Sequence, residues 1–217
     1  DNGQLGLGDQ RDRNTPTLVP DITTGKIISL GADHTCAVLE DGRVSCWGAN
    51  GYGQLGLGDN AGRNTPQLLS NIWHDTAPAK SVALGAFHTC ALLEDGTVMC
   101  WGRNNYGQLG LGDTTDRKLT TPYSTDYDPY TLIPSISSAT SISLGVEHTC
   151  AVLVDGSVLC WGRNSYGQLG VGDTNDRLIP TQVSRIDSAT LVSLGETHTC
   201  ALDSGIVLCW GSDWYGQ

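Results

Sequence analysis

HTCAVLEDGRVSCWG (34–48), HTCALLEDGTVMCWG (88–102), HTCAVLVDGSVLCWG (148–162) and the shorter HTCALDSGIVLCW (198–210) are four copies of one hairpin, with a cysteine on each arm. The pairs Cys36/Cys46, Cys90/Cys100, Cys150/Cys160 and Cys200/Cys209 use all eight cysteines of the chain. In the first three copies the arms are joined by Glu40-Asp41-Gly42, Glu94-Asp95-Gly96 or Val154-Asp155-Gly156. These are three-residue loops whose final Gly takes the left-handed position that forms a bulge. Counting outward in the first copy, Leu39 faces Arg43, Val38 faces Val44, Ala37 faces Ser45, and Cys36 faces Cys46. Alternation along the ladder puts the cysteines at a non-hydrogen-bonded site, with Cα atoms about 4.5 Å apart. That lies inside the span of about 4.4–6.8 Å that a disulfide accepts. The fourth copy lacks one residue, and a one-residue slip would turn side chains to the other face. Its two-residue Ser204-Gly205 turn restores the facing, so that Cys200 meets Cys209.

Four local cross-strand bridges are therefore expected, formed in an oxidising compartment. Each closes a short loop and contributes roughly 2–3 kcal/mol in the chain-entropy account. Two other readings of the cysteines stay open. One is buried free thiols, since Cys is among the most buried residue types. The other is zinc, although the spacing matches none of the short-spaced pairs of structural zinc sites.

The 217 residues carry a formal charge of −11, with lysine only at 26, 80 and 118. Nucleic-acid phosphates need a Lys/Arg surface, so nucleic acid is excluded as the expected partner. No apolar run approaches the ~20 residues of a membrane helix, so membrane insertion is not expected. No signal peptide is visible, and a start at Asp1 fits a processed product or a piece of a longer chain.

The hairpin belongs to a unit that recurs at a period near 50 residues. Its Gly-rich part reads NGQLGLGD (2–9), YGQLGLGD (52–59 and 106–113) and YGQLGVGD (166–173), and breaks off at WYGQ (214–217). The expected organisation is a single repeat domain over 1–217, with repeats near 1–50, 51–104, 105–164 and 165–217. Strands are predicted near 26–31, 34–39 and 44–48, with a short fourth near 16–19, and at their equivalents. Cys36, Val38, Val44 and Cys46 share one face of the hairpin; Ala37, Leu39 and Trp47 share the other. A sheet apolar on both sides must be sandwiched, which radially stacked four-stranded blades achieve.

Recurrent polar residues read as structural. Asp9/Arg13, Asp59/Arg63, Asp113/Arg117 and Asp173/Arg177 are expected to tie each Gly-rich loop by a charge-assisted pair. Calcium is the alternative where Asp12, Asp116 and Asp176 add carboxylates, but the second copy has Gly62 there. His34, His88, His148 and His198 are expected to hydrogen-bond as a half-buried ring; no metal site is expected. Trp47, Trp101, Trp161 and Trp210 read as packing residues.

LGxxHTCAL-x-x-DGxVxCWGxNxYGQLGLGD resembles the regulator-of-chromosome-condensation (RCC) repeat family over nearly every residue outside the connectors. The resemblance implies an all-β fold, a β-propeller of RCC-type blades, usually seven, each of four antiparallel strands. Four repeats then make part of a seven-bladed ring or a smaller or open assembly. The paired cysteines and CWG ending look most like the family's secreted and surface-exposed bacterial branch. They fit poorly with its founding role in activating the small GTPase Ran and binding chromatin. A secreted β-lactamase inhibitor is similar in fold.

The expected function is an extracellular or cell-surface, disulfide-stapled propeller acting as a structural or protein-binding module. The alternative is a soluble regulator or inhibitor of another protein, a hydrolase inhibitor or exchange-factor-like module. DNGQ and DWYGQ occupy the same place in the repeat at the two ends, so copies could join head to tail into a filament. The connectors differ most between repeats, and insertions in repeat proteins often map to the binding face. Trp73, Tyr123, Asp126, Tyr127, Asp128 and Tyr130 are accordingly the candidate partner-binding residues. No catalytic residue or cofactor is expected, because no phosphate loop, HExxH or GxSxG element occurs.

Overall fold

The computed structural model describes residues 2–69, 77–118, 131–214 and 216. The described residues form strands, turns and loops. β1 (Gly25–Leu30), β2 (His34–Leu39), β3 (Val44–Gly48) and β4 (Arg63–Leu68) make a four-stranded antiparallel sheet in that order. β5 (Ala79–Leu84), β6 (His88–Leu93) and β7 (Val98–Gly102) make the second sheet. The third holds β8 (Ala139–Leu144), β9 (His148–Leu153), β10 (Val158–Gly162) and β11 (Arg177–Gln182). β12 (Ala189–Leu194), β13 (His198–Asp203) and β14 (Ile206–Gly211) make the fourth.

Hairpin register is as the loop lengths dictate: Cys36 pairs with Cys46, Val38 with Val44, and in the fourth sheet Asp203 with Ile206 and Cys200 with Cys209. Gly42, Gly96 and Gly156 have φ of 79°, 83° and 82°, and Ser204 and Gly205 have φ of 50° and 81°. The first three copies thus use a left-handed Gly and the last uses the primed turn, both of which match strand twist. Each cysteine pair is disulfide-bonded, with Cα atoms 4.1 Å apart.

The fourth strand departs from the sequence expectation. Residues 16–19 form no strand, whereas their counterparts in the next repeat form β4 and pair with β3 of the repeat before. A blade therefore takes its outer strand from the following repeat, and among the described residues no third strand precedes residues 16–19. In the second sheet this outer position is held by two bridges, Gly102–Arg117 and Met99–Leu132. Residues 119–130 of the longest connector, between the two bridges in sequence, lie outside the described residues.

Packing is face to face between successive sheets. Cys36, Val38, Val44 and Cys46 of the first meet Ala91, Leu93, Met99 and Trp101 of the second. The same set recurs between the second and third sheets, where Cys90, Leu92, Val98 and Cys100 meet Ala151 and Trp161. Cys150, Val152, Val158 and Cys160 then meet Ala201 and Trp210. The first three disulfides are thus core elements against the next blade's tryptophan, whereas Cys200–Cys209 is partly exposed. The outermost faces are bare: Ile28 and Leu30 on the first sheet are 64% and 69% exposed, and Val207 on the fourth is 68% exposed.

Candidate protein-binding face

Polar groups bury themselves between blades in a repeating relay. The Thr89 hydroxyl donates to the Gln54 carbonyl at 2.8 Å, and Trp101 Nε1 donates to the same oxygen at 2.9 Å. With its proton committed, Thr89 Oγ1 accepts from His34 Nε2 of the preceding blade at 2.9 Å. His88–Thr149–Gln108 and His148–Thr199–Gln168 repeat the arrangement. The donor order fixes the Nε2–H tautomer, and in all three rings Nδ1 has no hydrogen-bond partner among the described residues. Burial lowers the pKa to about 4 for His34, about 3 for His88 and about 4 for His148, because a charged imidazole would lose its hydration. These histidines hydrogen-bond as expected but are fully buried, not half-buried; the sequence did not disclose the neighbouring blade that covers them.

Inside each Gly-rich loop, buried Asn50, Asn104 and Asn164 accept from the N–H of Leu55, Leu109 and Leu169 through Oδ1. The four Asp–Arg pairs close at 2.7–2.8 Å. The Arg partner holds Asp9, Asp59 and Asp173 below the usual carboxylate range. Asp116 and Asp176 each accept a backbone N–H, from Asn104 and Asn164, at 2.8 Å. That is the use the structure makes of the carboxylates considered for calcium.

On the face that carries the Gly-rich loops, residues that differ between repeats stand beside the recurrent Tyr. The residue after each Trp-Gly, and the residue before each His-Thr-Cys, stand side by side there: the Arg103 N–H donates to Phe87 O and the Arg163 N–H to Glu147 O. Arg103 lies 5.0 Å from the Tyr52 ring centre and 5.6 Å from that of Phe87; the two rings are 5.4 Å apart. Arg163 lies 4.9 Å from the Tyr106 ring centre. Glu147 accepts from both guanidiniums, at 3.4 Å from Arg103 and 2.6 Å from Arg163, and its hydrogen bond raises the Arg163 pKa. Tyr166 meets Trp214 edge-on at 6.2 Å, and Trp214 is 79% exposed. The result is a row of aromatic rings interleaved with a tethered Arg–Glu–Arg cluster, crossing three blade junctions.

Trp73, Tyr123, Asp126, Tyr127, Asp128 and Tyr130 lie outside the described residues. Sequence reasoning passed over Tyr52, Phe87, Arg103, Glu147, Arg163 and Trp214. The available signal was variation at fixed places in the repeat: Ala49, Arg103, Arg163 and Ser212 after Trp-Gly, and Asp33, Phe87, Glu147 and Thr197 before His-Thr-Cys.

A family model described as RCC1-like domain matches residues 2–217. The chain belongs to the RCC1-like domain family. It is 36% identical over 193 residues to the ultraviolet-B receptor UVR8 of Arabidopsis thaliana, covering 85% of this chain and 40% of that protein. It is 33% identical over 199 residues to the protein pim1 of Schizosaccharomyces pombe, covering 83% and 35%. The crystal structure of yeast RCC1 (Prp20) bound to Kap60 superposes with a TM-score of 0.68 at 22% identity, covering 86% of this chain and 43% of that one. This RCC1-like chain thus spans less than half the length of these relatives. Its four blades are RCC-type propeller blades, and the disulfide in each fits an oxidising environment. Among the described residues, no helix is long and apolar enough to cross a membrane.

Proposed function

We propose that the chain is an extracellular or cell-surface propeller segment whose loop-bearing face binds a protein partner. The observation that carries this reading is the division of labour within the repeat. Residues common to all copies supply the core and the relay, while the recurrent Tyr of the Gly-rich loop joins residues that differ between copies, Phe87, Arg103, Glu147 and Arg163, in an aromatic and arginine row on one face. Tyr, Trp and Arg are the residue types enriched where protein interfaces hold their energy. The cluster is pre-organised, because Glu147 fixes both guanidiniums and so reduces the ordering cost of association. Four disulfides support a location outside the reducing cytosol.

A photo-crosslinking amino acid at Tyr52 or Tyr166 should give a discrete adduct with another protein in the native host. The same group at Asp95, on the opposite hairpin tips, should not. Adducts from Asp95 alone would contradict the choice of face.

Self-association is a second reading, in which the end sheets of two copies of this chain pair. Val207 and Leu191 on the fourth sheet occupy the face that, in the other three blades, is covered by the next blade. Ile28, Leu30 and Leu68 on the first sheet form the kind of face that does the covering. A head-to-tail contact between copies would pair them. Light scattering of a Val207→Lys variant tests it, with loss of oligomer expected.

A further inference from the structure

The three junctions between Gly-rich loops are built from equivalent positions, and one of them is hollow. At the second junction Tyr52 stacks with Arg103, and at the third Tyr106 stacks with Arg163. At the first, the same two places hold Asn2 and Ala49. Asn105 and Ser165 have Gly51 as their counterpart, and Asp116 and Asp176 have Gly62. These four truncations leave a cavity of about 610 Å³ lined by Asn2, Gln10, Asn60, Tyr52 and Phe87, with Asn50 and Gly62 at its wall.

One hydrogen-bond donor is orphaned by the same changes. The Asn104 and Asn164 N–H groups each donate to an aspartate Oδ1 at 2.8 Å. The Asn50 N–H has no acceptor among the described residues, because Gly62 stands where the aspartate would be. A buried amide N–H without an acceptor is costly and is ordinarily satisfied by some group. Cations border the cavity: Arg63 in its wall, and Arg103 over the Tyr52 ring. The carboxylates nearby are already held, Asp59 by Arg63 and Glu147 by Arg103 and Arg163.

We infer that this cleft is a binding site for a carboxylate group, which takes the place of the missing aspartate on the Asn50 N–H while Tyr52 and Phe87 contact the atoms that carry it. The carboxylate could belong to an acidic side chain of a peptide or to a small free acid. Both present the same two oxygens to the same donor. The inference stands on the junction geometry and not on the location or partner proposed above.

The test follows the Asn50 amide by proton–nitrogen NMR during titration of the whole chain. The probes are N-acetyl-aspartate N-methylamide, glutarate, and N-acetyl-asparagine N-methylamide as the neutral control. The Asn50 proton should move downfield and saturate with at least one carboxylate, and stay in place with the asparagine compound. The carboxylate that saturates at the lower concentration identifies the source. Gly62→Asp supplies the aspartate internally: Gly62 lies outside the positive-φ glycines, and an added Cβ would stand 3.1 Å from Gly48 O. This variant should shift the Asn50 amide downfield without ligand and weaken carboxylate binding about tenfold or more. Ala49→Leu, which leaves position 62 alone and narrows the cleft without adding charge, should weaken binding likewise. An Asn50 resonance unmoved by both acids, or moved equally by the asparagine compound, overturns the inference. So does undiminished binding in both variants. Cross-linking from Tyr52 that persists in these variants leaves the protein-binding reading standing on its own.

Discussion

Lowering the pH from 7 to 5 should destabilise this protein through three buried imidazoles. His34, His88 and His148 have folded-state pKa values of about 4, about 3 and about 4, against 6.5 for an ordinary His. A depressed folded pKa gives stability that is fully present above 6.5 and is lost as pH falls toward the folded value, because only the unfolded chain takes up the proton. At pH 5 each ring in the unfolded chain is almost fully protonated while the folded ring is neutral, which costs about 2 kcal/mol per ring. Three rings together cost about 6 kcal/mol, comparable with the whole stability of many domains. The lowered aspartates act with the same sign but only below their ordinary 3.8, so they leave this window to the histidines. The groups around each ring are neutral or like-charged: the Thr hydroxyl on Nε2 and, for His88, the neighbouring imidazoles of His34 and His148. For His148 alone a backbone hydrogen bond at His198 favours the charged ring, and burial outweighs it. Urea unfolding with the disulfides intact, at pH 7, 6 and 5, should show a slope near three protons around pH 5. His88→Gln, which stays neutral and can still donate to Thr149, should lower it to two. A slope below one proton between pH 4.5 and 6, or a His88→Gln slope equal to the parent's, would refute the relay as drawn.

Other outcomes follow from the same packing. Replacing Cys150 and Cys160 by Ala should lower stability by about 2–3 kcal/mol from loop entropy alone. The cost should exceed that of the Cys200/Cys209 pair, because the first pair is wholly buried and the second is partly exposed; paired thermal melts check the order. Gly85→Ala places a Cβ 2.6 Å from Gly145 O of the next blade and against the His88 ring, so a loss of about 1–3 kcal/mol is expected by calorimetry. A double-mutant cycle between Glu147→Gln and Arg163→Met should return a coupling of about 1 kcal/mol, since Glu147 is mostly buried. A coupling indistinguishable from zero would mean the cluster is not pre-organised.

Local order was legible in the sequence because it depends on residues within a hairpin. Turn length placed Cys36 opposite Cys46, and the shorter Ser204-Gly205 turn kept Cys200 opposite Cys209. What depended on the neighbouring repeat was not legible. Residues 16–19 carry the same strand-forming composition as their counterparts in β4, but a strand also needs a partner edge, and that edge belongs to another blade. The four repeat histidines were assigned to hydrogen bonding, yet the complete burial of His34, His88 and His148 follows from the next blade's Thr and Gly, which no local pattern reveals. The binding face was sought in the inserted connectors, where length varies. The described surface shows a second kind of variation, single substitutions such as Ala49 for Arg103, which change chemistry without changing length.

The central claim is that every repeat is closed by its own sulfur bridge in the compartment where the protein works. It is tested most directly by intact mass after alkylation of protein taken from its native host, denatured without reductant. The account predicts that none of the eight cysteines of this sequence carries an adduct before reduction and that all eight carry one after it. Eight adducts before reduction would contradict it and remove the extracellular placement as well.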